Sequence, residues 1–168
     1  TNSAPPMGTL RQNTDFTVSG EVSGNATRSA SFSNVSAGYL KTLQLPIIEG
    51  RPFRENDLPG AELVTVISAS LAKELFPLGN AVGHRITLNR NGLLDPFTIV
   101  GVAKDVKEAD LNDSLRRMIY VLSCQLPEAE QASSSARTIV LFVRSNVPTP
   151  ALAAAIRKLC EEMDKDQP

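Results

Sequence analysis

The single histidine of the chain, His84, is the side chain best suited to acid–base chemistry near neutral pH. A catalytic pair would need a nucleophile within hydrogen-bonding reach of it. His84 follows Gly83 and precedes an alternating apolar stretch that starts at Arg85, which is typical of a partly exposed residue at the start of a strand. We therefore expect no catalytic role for His84. With no second histidine, a zinc site is not expected either.

Four carboxylates follow a predicted strand and form the second group that could do chemistry. Clustered carboxylates can serve acid–base catalysis or bind a cation through oxygen. Basic residues are interleaved with them, and the spacing of a calcium-binding EF-hand loop is missing. We expect a solvated loop, with a metal-using enzyme kept as an alternative hypothesis. The carboxylates are Asp105, Glu108, Asp110 and Asp113, and the basic residues are Lys104, Lys107, Arg116 and Arg117.

The two cysteines, Cys124 and Cys160, are too far apart in sequence for a C-x-x-C motif, which argues against a zinc or redox motif. We expect each to be a small buried apolar residue. A disulfide between them stays open for an oxidising compartment. Phosphate-binding loops are missing too, since residues 79–84 resemble one only in their glycines and lack the lysine. We predict no cofactor and no catalytic site.

Composition limits the classes of protein that the chain can belong to. It has 168 residues, 42% of them hydrophobic, which suits one globular domain with its own core. The 17 basic residues are balanced by 18 acidic ones, so the basic surface that nucleic-acid binding needs is missing. No apolar run approaches the roughly 18 residues of a membrane-spanning helix. Nucleic-acid partners are therefore not expected.

Hydrophobic periodicity predicts strands and helices that are intermixed along the chain. A helix capped by Ser36 should end before Pro46, and Ser68 should cap another. We expect residues 1–15 to be irregular and 29–35 to form an edge or exposed strand. This order favours an α+β fold, with a mixed or antiparallel sheet, helices packed on one face and two small subdomains as an option. Further strands are predicted at 16–18, 47–48, 63–67, 85–88, 97–102, 119–122 and 139–143.

The last helix has the clearest signature, with Thr149 as its cap and Pro150 at its first position. Its apolar residues follow helical spacing and predict packing on a sheet that includes 139–143. On that expectation, Ile156→Ala should cost about 2–5 kcal/mol. Residues 123–137 are polar and predict a mobile loop that could face a partner. The apolar residues are Leu152, Ile156, Leu159 and Met163.

Five segments, in chain order, carry a resemblance to a known family. They are residues 35–43 (VSAGYLKTL), 47–53 (IIEGRPF) followed by Asp57, 66–77 followed by Gly79 and 82–86 (VGHRI), 98–102 (TIVGV) followed by Asp105, and 163–168 (MDKDQP). On these segments the chain resembles the MacB-like periplasmic core domain of bacterial ABC transporter permeases in the FtsX superfamily. It departs from the family at Leu40, where a Phe is usual, and at His84, where Lys is frequent.

The resemblance implies one extracytoplasmic domain over residues 1–168 of a permease in the cytoplasmic membrane. It implies a non-catalytic role in efflux or lipoprotein release, in which the domain relays ATP hydrolysis mechanically. Its partners would be the permease's own membrane helices, a separate nucleotide-binding domain, a periplasmic adaptor or substrate protein, and a second permease in a dimer. A small-molecule-binding extracytoplasmic module is the alternative. Family members carry a further strand–helix segment before this region, so we expect the domain to be truncated on its N-terminal side.

Overall fold

A computed structural model of the chain describes residues 12–19, 27–90, 93–106, 117–126 and 140–163. Within these ranges it contains a seven-stranded sheet, three α-helices and a 3₁₀ turn at Ser123–Gln125. The strands are β1 (Gln12–Val18), β2 (Arg28–Val35), β3 (Ile47–Gly50), β4 (Val64–Ser68), β5 (Arg85–Arg90), β6 (Leu93–Ala103) and β7 (Met118–Leu122), and the helices are α1 (Tyr39–Thr42), α2 (Ala69–Leu75) and α3 (Thr149–Met163).

The sheet closes on itself because β6 pairs with β4 in parallel on one edge and with β5 in antiparallel orientation on the other. The strand order is β3-β6-β4-β7-β2-β1-β5, and β5 also pairs with β6. The Ile99 N–H donates to the His84 carbonyl, and the adjacent Thr98 N–H donates to the Leu63 carbonyl, so β5 and β4 lie on opposite edges of β6. Six strands thus form a ring. β3 pairs with the end of β6 outside that ring.

The inside of the ring is filled by a cluster of apolar side chains, to which every ring strand contributes. Helix α2 adds Leu71 and Leu75 to this cluster. The buried residues of this cluster are at most 8% exposed, so burial of apolar area is the main term that stabilises the ring. Representative members are Phe16, Phe32, Ile67, Ile86, Phe97 and Ile119.

A second cluster lies on the outer face of β4 and β7. Alternation along β7 separates the two faces, because Tyr120 belongs to the outer cluster and Ile119 to the inner one. Tyr39 and Leu40 of α1 cover the outer cluster. The α+β class and the mixed sheet are therefore confirmed, with one difference from the expectation. Helices α1 and α2 lie on opposite faces of the sheet instead of sharing one.

The predicted strand at 139–143 is wrong for the residues that the structure describes. Residues 140–145 belong to no ladder there, and residue 139 lies outside the description. Phe142 still packs edge-on against Tyr39, with ring centroids 5.6 Å apart, and Arg144 Nε donates to the Thr42 carbonyl at 2.9 Å. Strand propensity reflects packing beside a partner, and no described strand lies beside this segment.

The predicted packing of the last helix on the sheet is also wrong. Helix α3 forms where expected, but Leu159 is 58% exposed, and neither Leu152 nor Ile156 belongs to either buried cluster. The Met163 side chain lies outside the described residues. The spacing of apolar residues correctly predicted that α3 has an apolar side, but it could not predict which residues pack against that side.

Three smaller expectations also differ from the structure. Residues 12–15, expected to be irregular, form β1 between β2 and β5, which also makes β2 an inner strand and not an edge. Ser36 contributes its carbonyl to the start of α1, whose N-cap is Gly38 without a side-chain bond. Residues 1–11 are not among those described.

The predicted cap of α2 is confirmed. Ser68 Oγ accepts from the Leu71 N–H at 3.4 Å, and also from the Met118 N–H at 3.0 Å, which ties α2 to β7. Of the loop expected at 123–137, residues 123–125 form the 3₁₀ turn, and Gln125 and Leu126 are buried. The rest of that loop, residues 127–137, is outside the described part of the chain.

Candidate functional site

The segment after β3, residues 51–63, is held in place by one ion pair and is called the clamp loop here. Arg51 Nη1 and Nη2 donate to the two carboxylate oxygens of Asp57 at 2.8 and 2.9 Å. The same carboxylate accepts the Arg54 N–H at 2.8 Å. Two-point guanidinium–carboxylate pairs fix orientation as well as distance. The clamp loop therefore has a defined shape although it contains no helix or strand.

Electrostatics of this pair favour the charged forms of both groups. The hydrogen bond from Arg51 holds the pKa of Asp57 below its ordinary value of 3.8 and outweighs the opposing effect of burial. The same bond raises the pKa of Arg51. The Asp57 side chain is only 11% exposed, so the pair is partly shielded from water. It stays ionised throughout the physiological range of pH.

Two glycines let the start of the clamp loop lie directly against β6. A Cβ at Gly101 would collide with the Arg51 backbone carbonyl, and a Cβ at Gly50 would collide with the Val100 carbonyl. Gly50 also has φ +72°, which other residues rarely adopt. The Arg51 N–H donates to the Val100 carbonyl at 2.9 Å. Glycine at both positions is thus a requirement of this close approach.

The far end of the clamp loop is tied down by Gln125 and Glu62. Buried Gln125 accepts the Val64 N–H at 3.1 Å and donates to the Glu62 carbonyl at 3.0 Å. The Glu62 carboxylate accepts from Thr98 Oγ1 at 2.6 Å and from Arg85 at 3.4 Å. The Thr98 hydroxyl, and then Arg85, lower the pKa of Glu62. The loop is anchored at both ends to the ring.

A second exposed feature adjoins the clamp loop and is called the α2–β5 turn, residues 76–84. Its tip carries Leu78, which is 98% exposed. The rings of Phe76 and His84 stack with centroids 4.6 Å apart. The Val82 N–H donates to Glu49 Oε1 at 3.3 Å, just before the clamp loop begins. Arg85, directly after the turn, contacts Glu62, so the C-terminal end of the turn lies beside the clamp loop.

These two segments form the candidate contact surface, defined as the clamp loop together with the α2–β5 turn. Each presents one strongly exposed leucine, Leu58 at 56% and Leu78 at 98%. Exposed apolar side chains on a fixed framework suit contact with another molecule. No role was predicted for Arg51 and Asp57 from the sequence. The available signal for this ion pair was an arginine followed six positions later by an aspartate within a loop.

The residues proposed for chemistry are not brought together. His84 is exposed at the start of β5, as predicted. Asp105 accepts the Ser70 N–H at 3.0 Å at the N-terminal end of α2, whereas His84 stacks on the residue that ends that helix. A seven-residue helix is about 10 Å long and separates them. Glu108, Asp110 and Asp113 lie outside the described residues.

Both cysteines differ from the expectation of buried apolar residues. Cys124 and Cys160 are free and exposed, and Cys124 Sγ lies 3.8 Å from the Asp57 carbonyl oxygen. Among the described residues, no group of three or more His, Cys, Asp or Glu side chains is placed to hold a metal ion. No helix in that part of the chain has both the length and the apolar content to cross a bilayer.

Comparison with known proteins gives consistent results. Residues 6–159 match the model of the MacB-like periplasmic core domain family. Two permeases of Bacillus subtilis (strain 168), the uncharacterized ABC transporter permeases YknZ and YvrN, are 34% identical over 77 residues and 36% identical over 76 residues. The matched stretches cover 46% and 45% of this chain but only 18% of each permease.

Among solved structures, the periplasmic region of MacB from Actinobacillus actinomycetemcomitans superimposes with a TM-score of 0.66 at 19% identity. The match covers 92% of this chain and 64% of that region. At this identity the likeness concerns the fold alone.

Proposed function

Since the chain belongs to the MacB-like periplasmic core domain family, we propose that this extracytoplasmic domain transmits conformational change within an ABC transporter permease. ATP is hydrolysed by a separate nucleotide-binding domain on the cytoplasmic side. The permease's membrane helices link the two. The domain itself carries no catalytic step. Its contact surface meets a transported substrate or an adaptor protein, and two permeases pair in the working transporter.

The observation that carries this proposal is the anchoring of the clamp loop to a closed ring of strands. Transmission of a displacement needs a body that moves as one unit. The ring has a packed interior, and the clamp loop is fixed to it by the bond from the Arg51 N–H to the Val100 carbonyl at one end and by the bond from Gln125 to the Glu62 carbonyl at the other. A movement of the ring is therefore passed to Leu58 and Leu78 without being absorbed by a loose segment.

Cys124 provides a reporter for this role that requires no knowledge of the substrate. Its thiol is exposed and adjoins the clamp loop at Asp57. In the full permease with its nucleotide-binding domain in lipid vesicles, and with the other cysteines replaced by serine, we expect the maleimide labelling rate of Cys124 to differ between ATP-bound and ADP-bound states. Asp57→Ala should remove this difference while ATP hydrolysis continues, and Glu55→Ala should preserve it. Labelling that ignores the nucleotide would contradict the proposal.

The non-catalytic part of the proposal has its own test. The isolated domain should hydrolyse neither ATP nor p-nitrophenyl acetate nor p-nitrophenyl phosphate, because His84 and Asp105 lie at opposite ends of α2. A turnover signal that His84→Ala or Asp105→Ala abolishes would refute it. The alternative function, small-molecule binding, has no supporting observation among the described residues, where side chains fill the ring.

A further inference from the structure

The α2–β5 turn projects one leucine almost entirely into solvent from a backbone that is fixed on both sides. Leu78 is 98% exposed, whereas Phe76 packs against the cluster inside the ring and Ala81 is only 1% exposed within it. The Gly79 N–H donates to the Phe76 carbonyl at 2.9 Å, and the His84 N–H donates to the Ala81 carbonyl at 3.3 Å. The projecting side chain is therefore carried by a turn of defined shape.

Further exposed apolar side chains lie on the segments that adjoin this turn. Val82 is 37% exposed, and its Cγ2 atom would lie only 2.7 Å from a Cβ atom at Gly50, so the turn lies directly against the end of β3. Ile48 in β3 is 60% exposed, and Leu58 in the clamp loop is 56% exposed. Exposed apolar residues grouped on neighbouring segments usually mark a contact with another molecule.

The charges beside these apolar residues compensate one another. Residues 76–83 carry no charge at all. Asp57 is paired with Arg51 at 2.8 Å, and Glu62 is paired with Arg85 at 3.4 Å. The surface therefore has no net field that would attract a charged peptide or an anionic lipid headgroup. The clamp loop and Arg85 together hold three basic and three acidic residues, which are Arg51, Arg54, Arg85, Glu55, Asp57 and Glu62.

We infer that the contact surface binds a protein that presents an uncharged, apolar recess, with Leu78 as the main anchor and Leu58 as the second. Side chains on a fixed backbone lose little conformational freedom on binding, and a few buried anchors commonly supply most of the affinity of a protein interface. Burial of two leucines in such a recess needs no charged group. The inference rests on the proposed function, because it names the chemistry of the partner that the contact surface meets.

Two other occupants fit these observations less well. A lipid surface is usually bound by apolar residues together with a surplus of basic ones, and here the basic residues are balanced. In a twofold dimer of this chain the same surface would face itself, so the projecting leucines would meet projections and not a recess. A different protein meets the requirements of both shape and charge.

Photocrosslinking in the full permease, produced in its native host, tests this inference. One variant carries p-benzoylphenylalanine at Leu78, and a matched control carries it at Leu94, which is 68% exposed at the far end of the β5–β6 hairpin. Irradiation should join position 78, but not position 94, to one protein that mass spectrometry identifies. Adding Leu58→Asn should lower the yield at position 78 at least about tenfold, because the burial of one leucine is lost.

The identified protein is then titrated against the permease in lipid nanodiscs. Leu78→Asn should weaken its binding at least about tenfold, and Leu94→Asn should leave the affinity unchanged. Raising the salt concentration from about 0.1 M to about 1 M should weaken the binding by no more than about threefold, because salt screens exposed charges and not apolar contacts.

Several results would overturn the inference. They are a yield at position 78 no higher than at position 94, crosslinks to lipid, crosslinks to a second permease, full affinity in Leu78→Asn, and a larger loss of affinity in high salt. None of these results depends on nucleotide, whereas the Cys124 labelling does. Nucleotide-dependent labelling without a crosslinked partner would reject this inference alone. A crosslinked partner with labelling that ignores the nucleotide would reject the coupling role alone.

Discussion

Arg51 and Asp57 meet at two points, 2.8 and 2.9 Å, although they are six residues apart in a loop without helix or strand. Asp57 also accepts the Arg54 N–H, so one carboxylate is bonded both to the Arg51 side chain and to the backbone at Arg54. The residues on either side of this pair are tied to the ring by backbone contacts. The pair is therefore the point at which a small chemical change should alter the contact surface most.

Replacing Asp57 by alanine should lower the free energy of unfolding by about 1–2 kcal/mol, because a partly shielded ion pair and a bond to a backbone N–H are both lost. Glu55→Ala changes an exposed carboxylate in the same loop and should stay within about 0.5 kcal/mol of the parent. Urea denaturation of the three proteins measures the difference. Equal losses for both variants would show that the pair does not hold the loop.

The contribution of Asp57 should depend on pH with a defined sign. Because its pKa is lower in the folded chain than the ordinary 3.8, the ionised form favours the folded state. This stabilisation is complete at pH values above about 5 and is lost as the pH falls through the folded pKa. The gap in urea midpoint between the parent and Asp57→Asn should be widest near pH 6 and should narrow below pH about 4. A gap that grows on acidification would contradict the assignment.

Gly101→Ala should destabilise the domain by about 1–3 kcal/mol or more, because the added methyl group meets the Arg51 backbone and not a movable side chain. Gly38 provides the comparison, since a Cβ there meets nothing within 4 Å. Gly38→Ala should therefore cost less than about 1 kcal/mol. Thermal unfolding of both variants shows whether the loss of stability comes from the close approach of the Arg51 backbone to Gly101 or from the removal of a glycine in general.

Two apolar residues on different helices should respond very differently to truncation in the isolated domain. Leu71 on α2 is fully buried in the ring cluster, so Leu71→Ala should cost about 2–5 kcal/mol. Ile156 on α3 belongs to no cluster, and Ile156→Ala should cost less than about 1 kcal/mol. Denaturant unfolding gives both values. A large loss at Ile156 would show that α3 packs on the domain after all.

The sequence predicted those elements whose local signals agree with their surroundings. In β4 the β-branched residues lie in a strand that is buried on both faces, and Ser68 caps the helix that follows at once. The strands β5 and β6 were also predicted, and they pair as neighbours in sequence. The family resemblance rested on residues such as Gly50, Arg51 and Gly101, and the structure supplies the reason for each of them.

Long-range pairing is what the sequence did not reveal. Serines alternate along β2 and predicted an exposed edge, yet Phe32 points into the ring and β2 lies between β1 and β7. Nothing local to residues 12–15 indicates that they pair with β2. The apolar stripe of α3 looked like a core element because periodicity reports amphipathicity and not the identity of the partner. The contact surface was missed because its two leucines are isolated in sequence.

Closure of the ring has a consequence for the rate of folding. The Thr14 hydroxyl bonds to the Asn89 carbonyl 75 residues away, and the Ser123 hydroxyl bonds to the Val35 carbonyl 88 residues away. Loops of this length must close before the pairs they join contribute any stability. Folding times on the order of milliseconds to seconds are typical of such nonlocal topologies. During synthesis, β1 and β2 therefore remain partly unpaired until β5 and β7 have been made.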